Sequence, residues 1–155
     1  MAARIEHLVT SATVSLDGGT WDVDNNVWIV GDDEAVIVID AAHDAEAIRA
    51  AVGDRRLRGI GCTHGHDDHM DAAPALADST GCADPDPPRR PAAVETHHPD
   101  RNPDGYLTDM RRISVADFEL TVLHTPGHTA PRPHISTSGS TGGTESAERD
   151  LLSGL

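Results

Sequence analysis

Residues 35–40 read Ala-Val-Ile-Val-Ile-Asp, and the continuous β-branched run inside them is what a buried strand requires. The residues after it narrow the fold class. Asp44 stands where an N-cap belongs, Ile48 and Val52 are four apart on a helix from Ala45 to Val52, and Gly53 stops it. Residues 58–63 then return to strand composition, and helical spacing resumes from Met70 to Ala77 with Gly81 as the stop. Strand, helix, strand, loop, helix is the order of an α/β domain whose site lies at the carboxyl ends of its strands.

The loop in that order is residues 63–71, Thr-His-Gly-His-Asp-Asp-His-Met-Asp. It is too short and too polar to be core. His64, His66, Asp68 and His69 make the pattern H-x-H-x-D-H, and imidazole and carboxylate are ligands that zinc, iron and manganese accept. Alternate residues of an extended segment point the same way, so His64 and His66 can close on one ion while Asp68 and His69 reach a second. A solvated acidic loop is the plainer alternative. The strand before it and the helix after it favour the metal site.

Elsewhere, residues 12–16 and 26–30 read as strands, with a turn at 31–34. Arg112 to Val115 and Phe118 to Leu123 read as a hairpin turning at Ala116-Asp117, and the second of these runs into His124-Thr125-Pro126-Gly127-His128-Thr129. Two stretches break the pattern. Residues 82–105 hold six prolines and little to bury, and residues 130–155 are rich in Pro, Ser, Thr and Gly, so the first is expected to be irregular and the second a disordered tail without a strand.

The formal charge is −14, and all twelve basic residues are Arg. Such a surface repels nucleic acid and anionic membrane, which leaves a small-molecule substrate as the expected partner. Cys62 and Cys82 form no C-x-x-C and suggest no disulfide framework, and their wide separation argues against a Cys-rich structural zinc domain. The first residues lack an apolar signal core and no window approaches a membrane span, so the cytoplasm is the expected location.

With H-x-H-x-D-H after one strand and His-Thr-Pro-Gly-His-Thr after another, the chain resembles the metallo-β-lactamase superfamily, in particular its glyoxalase-II-like hydrolases. The resemblance covers about residues 4–81 and 106–129. It implies a partial metallo-β-lactamase-like domain over 1–129, an incomplete αββα sandwich of mixed sheets with outer helices, irregular at 82–105 and 130–155. It also implies ligands: His64, His66 and His128 for a first metal, Asp68 and His69 for a second. His124 opens the second motif without being a ligand in the family. Asp40 would either orient a ligand histidine or cap its strand end, Thr63 and Asp71 would close the loop by hydrogen bonds, and His7, His43, His97, His98 and His134 have no motif and are read as surface residues.

The chemistry implied is hydrolysis by a metal-bound hydroxide, since a divalent ion brings the pKa of bound water toward ~7 and polarises the carbonyl under attack. Asp68 would orient that hydroxide and carry its proton. A thiolate leaving group needs little protonation, which makes thioesters of glutathione or mycothiol type the expected substrates. The family has two zinc sites, of which one is expected here, with iron or manganese as alternatives to zinc.

The family's later ligands are not recognisable. Asp150, 22 residues after His128, is the sole candidate for the bridging Asp, and residues 143–148 before it do not read as a buried strand. The two irregular stretches fit reading-frame shifts in a GC-rich gene, with a naturally short variant as the alternative. A half-supplied sandwich would leave a sheet face uncovered and prone to self-association. A catalytically impaired metal-binding fragment is therefore the alternative to an active hydrolase.

Overall fold

The computed structural model describes residues 2–63, 70–82, 109–124 and 133–139, with the backbone alone for 124 and 133–139 and no burial for side chains 14 and 16. Two long strands open the chain, β1 (Arg4–Leu16) and β2 (Gly19–Gly31), paired antiparallel from Arg4↔Gly31 to Leu16↔Gly19. Asp17 and Gly18 turn the hairpin with positive φ at both positions, as a two-residue Asp-Gly loop demands. β3 (Ala35–Ile39) joins β2 antiparallel, α1 (Ala45–Val52) crosses over, and β4 (Arg56–Gly61) lies parallel to β3. The resulting sheet has the order β1-β2-β3-β4. α2 (Ala73–Thr80) follows, and a second sheet β5-β6-β7 is built from Arg112–Val115, Phe118–His124 and Pro133–Gly139.

Alternation along β2 and β3 explains the layers. Val27, Ile29, Val36 and Val38 pack on one face with Ile48 and Val52 of α1 and Leu76 of α2. The residues between them, Val30, Ile37 and Ile39, pack on the other face with Val115, Leu120 and Val122 of the second sheet. The β-branched run of β3 is thus apolar at every position because each face meets a different layer. Helices, first sheet and second sheet stack in that order, three layers of the expected sandwich.

α1 has the predicted bounds, with Asp44 accepting from the Ala47 amide at 2.9 Å and Gly53 at its end. α2 begins at Ala73 instead of Met70, without a side-chain cap, and ends at Gly81 in the left-handed region (φ 64). Gly31 closes β2 where the chain folds back: a Cβ there would lie 2.1 Å from the Ala35 carbonyl oxygen.

Two expectations need correction. The strand expected at 12–16 extends back to Arg4, because half-exposed hairpin residues carry no unbroken apolar signal. The tail expected to hold no strand holds β7, which pairs with β6 from Phe118↔Gly139 to His124↔Pro133. An added strand is held chiefly by main-chain hydrogen bonds, so Pro-His-Ile-Ser-Thr-Ser-Gly suffices, with the proline at the first position where a strand tolerates it. Among the described residues no helix is long and apolar enough to cross a membrane.

Candidate metal centre

The predicted ligands His64, His66, Asp68, His69, His128 and Asp150 lie outside the described residues. Among the described residues no three His, Cys, Asp or Glu side chains gather in a metal-binding group. What the structure does define is the frame that carries the histidine run, and that frame is built almost wholly from residues 40–43.

This four-residue segment leaves the end of β3 and is buried at Asp40, Ala41 and Ala42. A buried irregular backbone must satisfy its polar groups, and several of the partners here come from distant elements. The Asp40 amide donates to the Gly61 carbonyl at 2.8 Å, which keeps β3 and β4 side by side to their ends. The Ala41 carbonyl accepts from the Ala72 amide at 3.1 Å, and the Ala42 carbonyl from the Asp44 amide at 2.7 Å and from the Thr10 hydroxyl at 2.8 Å. Thr10, itself buried, ties β1 to the same segment; nothing in its sequence surroundings marked it out.

Both flanks of the run are bonded to this segment. On the entry side, one Asp40 carboxylate oxygen accepts from the Thr63 amide and the other from the Thr63 hydroxyl, each at 2.7 Å. Of the two roles considered for Asp40, the strand-end cap is present among the described residues, and the ligand histidines that the other role concerns lie outside them. On the exit side, Asp71 accepts from the His43 amide at 2.6 Å through Oδ1 and lies 3.1 Å from His43 Nδ1 through Oδ2. Thr63 and Asp71 are loop-closing hydrogen bonders, as expected. Thr63 and Asp71, which flank the run in sequence, are therefore both bonded to the segment that follows β3.

His43 does not fit its reading as a surface residue. Its side chain is 3% exposed and its Nε2 is buried without a hydrogen-bond partner among the described residues. The sequence hid this because Asp71, which draws the ring inward, is 28 residues away. Asp40 and His43 both have positive φ (55° and 63°), a region that costs a non-glycine residue energy and is found where a surrounding structure imposes it. His7 stacks on Trp28 with ring centroids 4.4 Å apart and pairs with Asn26, on the opening hairpin. His97 and His98 lie outside the described residues, as does the side chain of His134.

Cys62 sits between the strand end and the run. Burial, and secondarily the charge of Asp40, pushes its thiol up to about 12. It stays protonated near neutral pH, and so is poorly suited to be a nucleophile.

A residue set of this kind suits a divalent ion. The described part supplies a hydrogen-bonded support and a buried imidazole nitrogen with no partner among the described residues, and the run supplies nitrogen and oxygen donors of the sort zinc prefers.

Comparison with known proteins gives the same direction. The family model described as "Metallo-beta-lactamase superfamily" matches residues 20–150, which takes in the irregular stretch, the second sheet and Asp150. A hydroxyacylglutathione hydrolase of Tolumonas auensis is 35% identical over 111 residues, covering 69% of this chain and 41% of that protein. One from Stenotrophomonas maltophilia is 32% identical over 117 residues, covering 73% and 41%. Among solved structures, the metallo-beta-lactamase GOB-18 from Elizabethkingia meningoseptica superposes with a TM-score of 0.57 at 19% identity, covering 75% of this chain and 50% of that one. The chain spans about two fifths of the length of these two curated relatives and half of the solved structure.

Proposed function

The chain belongs to the metallo-beta-lactamase superfamily, and on that premise we propose that it is a metal-dependent hydrolase acting on thioesters of the glutathione or mycothiol type. The observation that carries the reading is the pinning of both flanks of His64-Gly65-His66-Asp67-Asp68-His69 to the ends of β3 and β4. Hydrogen bonds at Thr63 and Asp71 limit the positions open to the six residues between them. The hydroxyacylglutathione hydrolases among the relatives support the substrate class.

His64, His66 and His128 would hold a first zinc ion, with Asp68 and His69 contributing to a second and Asp150 as the candidate bridge between them. When bound, the ion supplies an activated water and a polarised carbonyl. Asp68, as a carboxylate of the motif, would orient the water and accept its proton. A thiolate leaves without needing that proton first. Asp40 acts by fixing where the run begins, through the two bonds it accepts from Thr63.

The test is metal content of the purified chain together with turnover of S-D-lactoylglutathione. Bound zinc with hydrolysis that is lost in His64→Ala and in chelator is the expected result. Bound zinc without turnover of any thioester would mark the chain as an impaired metal-binding member of its family. A chain that takes up no divalent metal is not a hydrolase of this kind.

A further inference from the structure

Between the end of α1, the start of β4 and the end of α2 lies a cavity of about 590 Å³. Arg49, Arg55, Arg56 and Arg58 line it, four of the twelve basic residues of a chain whose formal charge is −14. No Asp or Glu stands among its described lining residues, and Asp54 and Asp78, close by in sequence, are not part of the wall. A third of the chain's scarce positive charge therefore gathers around one hollow.

Capping the two helix ends, which carry partial negative charge, does not account for so many guanidinium groups. Arg55 serves α1 by itself: it donates to the Val52 carbonyl at 2.8 Å and the Ala51 carbonyl at 2.6 Å, and it pairs with Glu6. At the end of α2 the hydroxyls of Ser79 and Thr80 donate to the Leu76 carbonyl, and the Cys82 amide to the Ala77 carbonyl. The side chains of Arg49, Arg56 and Arg58 have no acceptor among the described residues.

A bulge sets the position of Arg58. Between Val36↔Leu57 and Ile37↔Gly59 the pairing of β3 with β4 shifts by one residue, which leaves Arg58 without a partner on β3. In strict register it would stand opposite Ile37, which packs toward the second sheet. The shift gives that place to Gly59 and leaves the arginine on the cavity wall. Arg56, two residues earlier, lines the same wall, and Arg49 approaches it from the last turn of α1.

We propose that this cavity binds a small molecule carrying at least two phosphate or carboxylate groups, held by the guanidinium forks of Arg49, Arg56 and Arg58. A planar fork matches either oxyanion with two parallel hydrogen bonds, and three forks can serve more than one such group. The volume is that of a small-ligand site. The cavity lies at the start of β4, whereas Thr63 and the histidine run follow the end of that strand, so the site is separate from the metal centre and does not rest on the hydrolase reading. Because the net charge of the chain repels anions elsewhere, anion uptake reports on this cluster.

Isothermal titration calorimetry of the whole chain tests this, with inorganic pyrophosphate and, separately, propane-1,2,3-tricarboxylate at fixed low ionic strength. At least one of the two is expected to bind at one site per chain, and binding by one alone tells phosphate from carboxylate. Arg56→Gln and Arg58→Gln change exposed side chains and leave the core intact. Each should weaken binding about 10-fold through loss of charge-assisted hydrogen bonds, and added salt should weaken it further. His66→Ala, which alters the histidine run, should bind as the parent does. Binding that survives both arginine substitutions, or that falls in His66→Ala alone, overturns the inference. So does the absence of binding by either anion, which would leave these arginines as guards of the β4 edge against strand pairing.

Discussion

Asp40 is the residue on which the site's geometry depends most. Two donors of Thr63 converge on one buried carboxylate, and deleting it strands both in the interior. Asp40→Ala should cost about 2–6 kcal/mol, at roughly 1–3 kcal/mol for each of the two buried donors. Asp40→Asn, which retains one acceptor, should cost less than half of that; urea unfolding measures both. Cys62 gives a second residue-scale prediction. With its thiol pushed up to about 12 it should resist iodoacetamide at pH 8 until the protein is unfolded, and mass spectrometry of the labelled chain checks it. At this scale the sequence was partly legible. Thr63 and Asp71 could be assigned as loop closers because they flank the motif directly. His43 and Thr10 could not, since the burial of each follows from a partner about thirty residues away.

Among the elements, the turn between β2 and β3 shows how a local hydrogen-bond pattern becomes a pH dependence. Asp32 Oδ1 accepts from the amides of Ala35 and Glu34, each at 2.8 Å, and these bonds hold its carboxyl below the ordinary carboxylate range. A lowered pKa in the folded state means stability that is complete above the unfolded value and lost as pH falls through the folded one. The Asp32→Asn variant should therefore lose less stability than the parent as the pH is lowered through the acid range, which thermal melts across that range will show. The helix α1 was readable to the residue because its cap, its apolar spacing and its terminal glycine all lie within one short stretch. α2 was misplaced at its start because no side chain caps it and the amide of its N-cap residue, Ala72, is held by the distant Ala41 carbonyl. β7 was missed for the same physical reason: its hydrogen bonds come from β6, and its own residues carry almost no apolar pattern.

For the whole molecule, a formal charge of −14 makes bound cations a stabilising influence as well as a chemical one. Zinc at 100 times its dissociation constant should add about 2.7 kcal/mol to folding stability. For a chain of this size that is a rise in Tm of roughly 5–10 °C. The rise should vanish in His66→Ala, as differential scanning fluorimetry with and without chelator will show. The layered architecture was anticipated from the family resemblance, and its buried strand from one run of β-branched residues, yet its partition was not: which residues face the helices and which face the second sheet depends on pairing register.

That partition has a kinetic side. β3 is the strand whose successive residues are sealed by different neighbours, so exposing its amides requires the helical layer and the second sheet to separate together. In deuterium exchange its amides should be among the last to exchange, through global unfolding alone, while those beside the Asp17-Gly18 tip exchange by local fraying. The strand that supports the site's foundation would then also be the one that outlasts every partial opening of the protein.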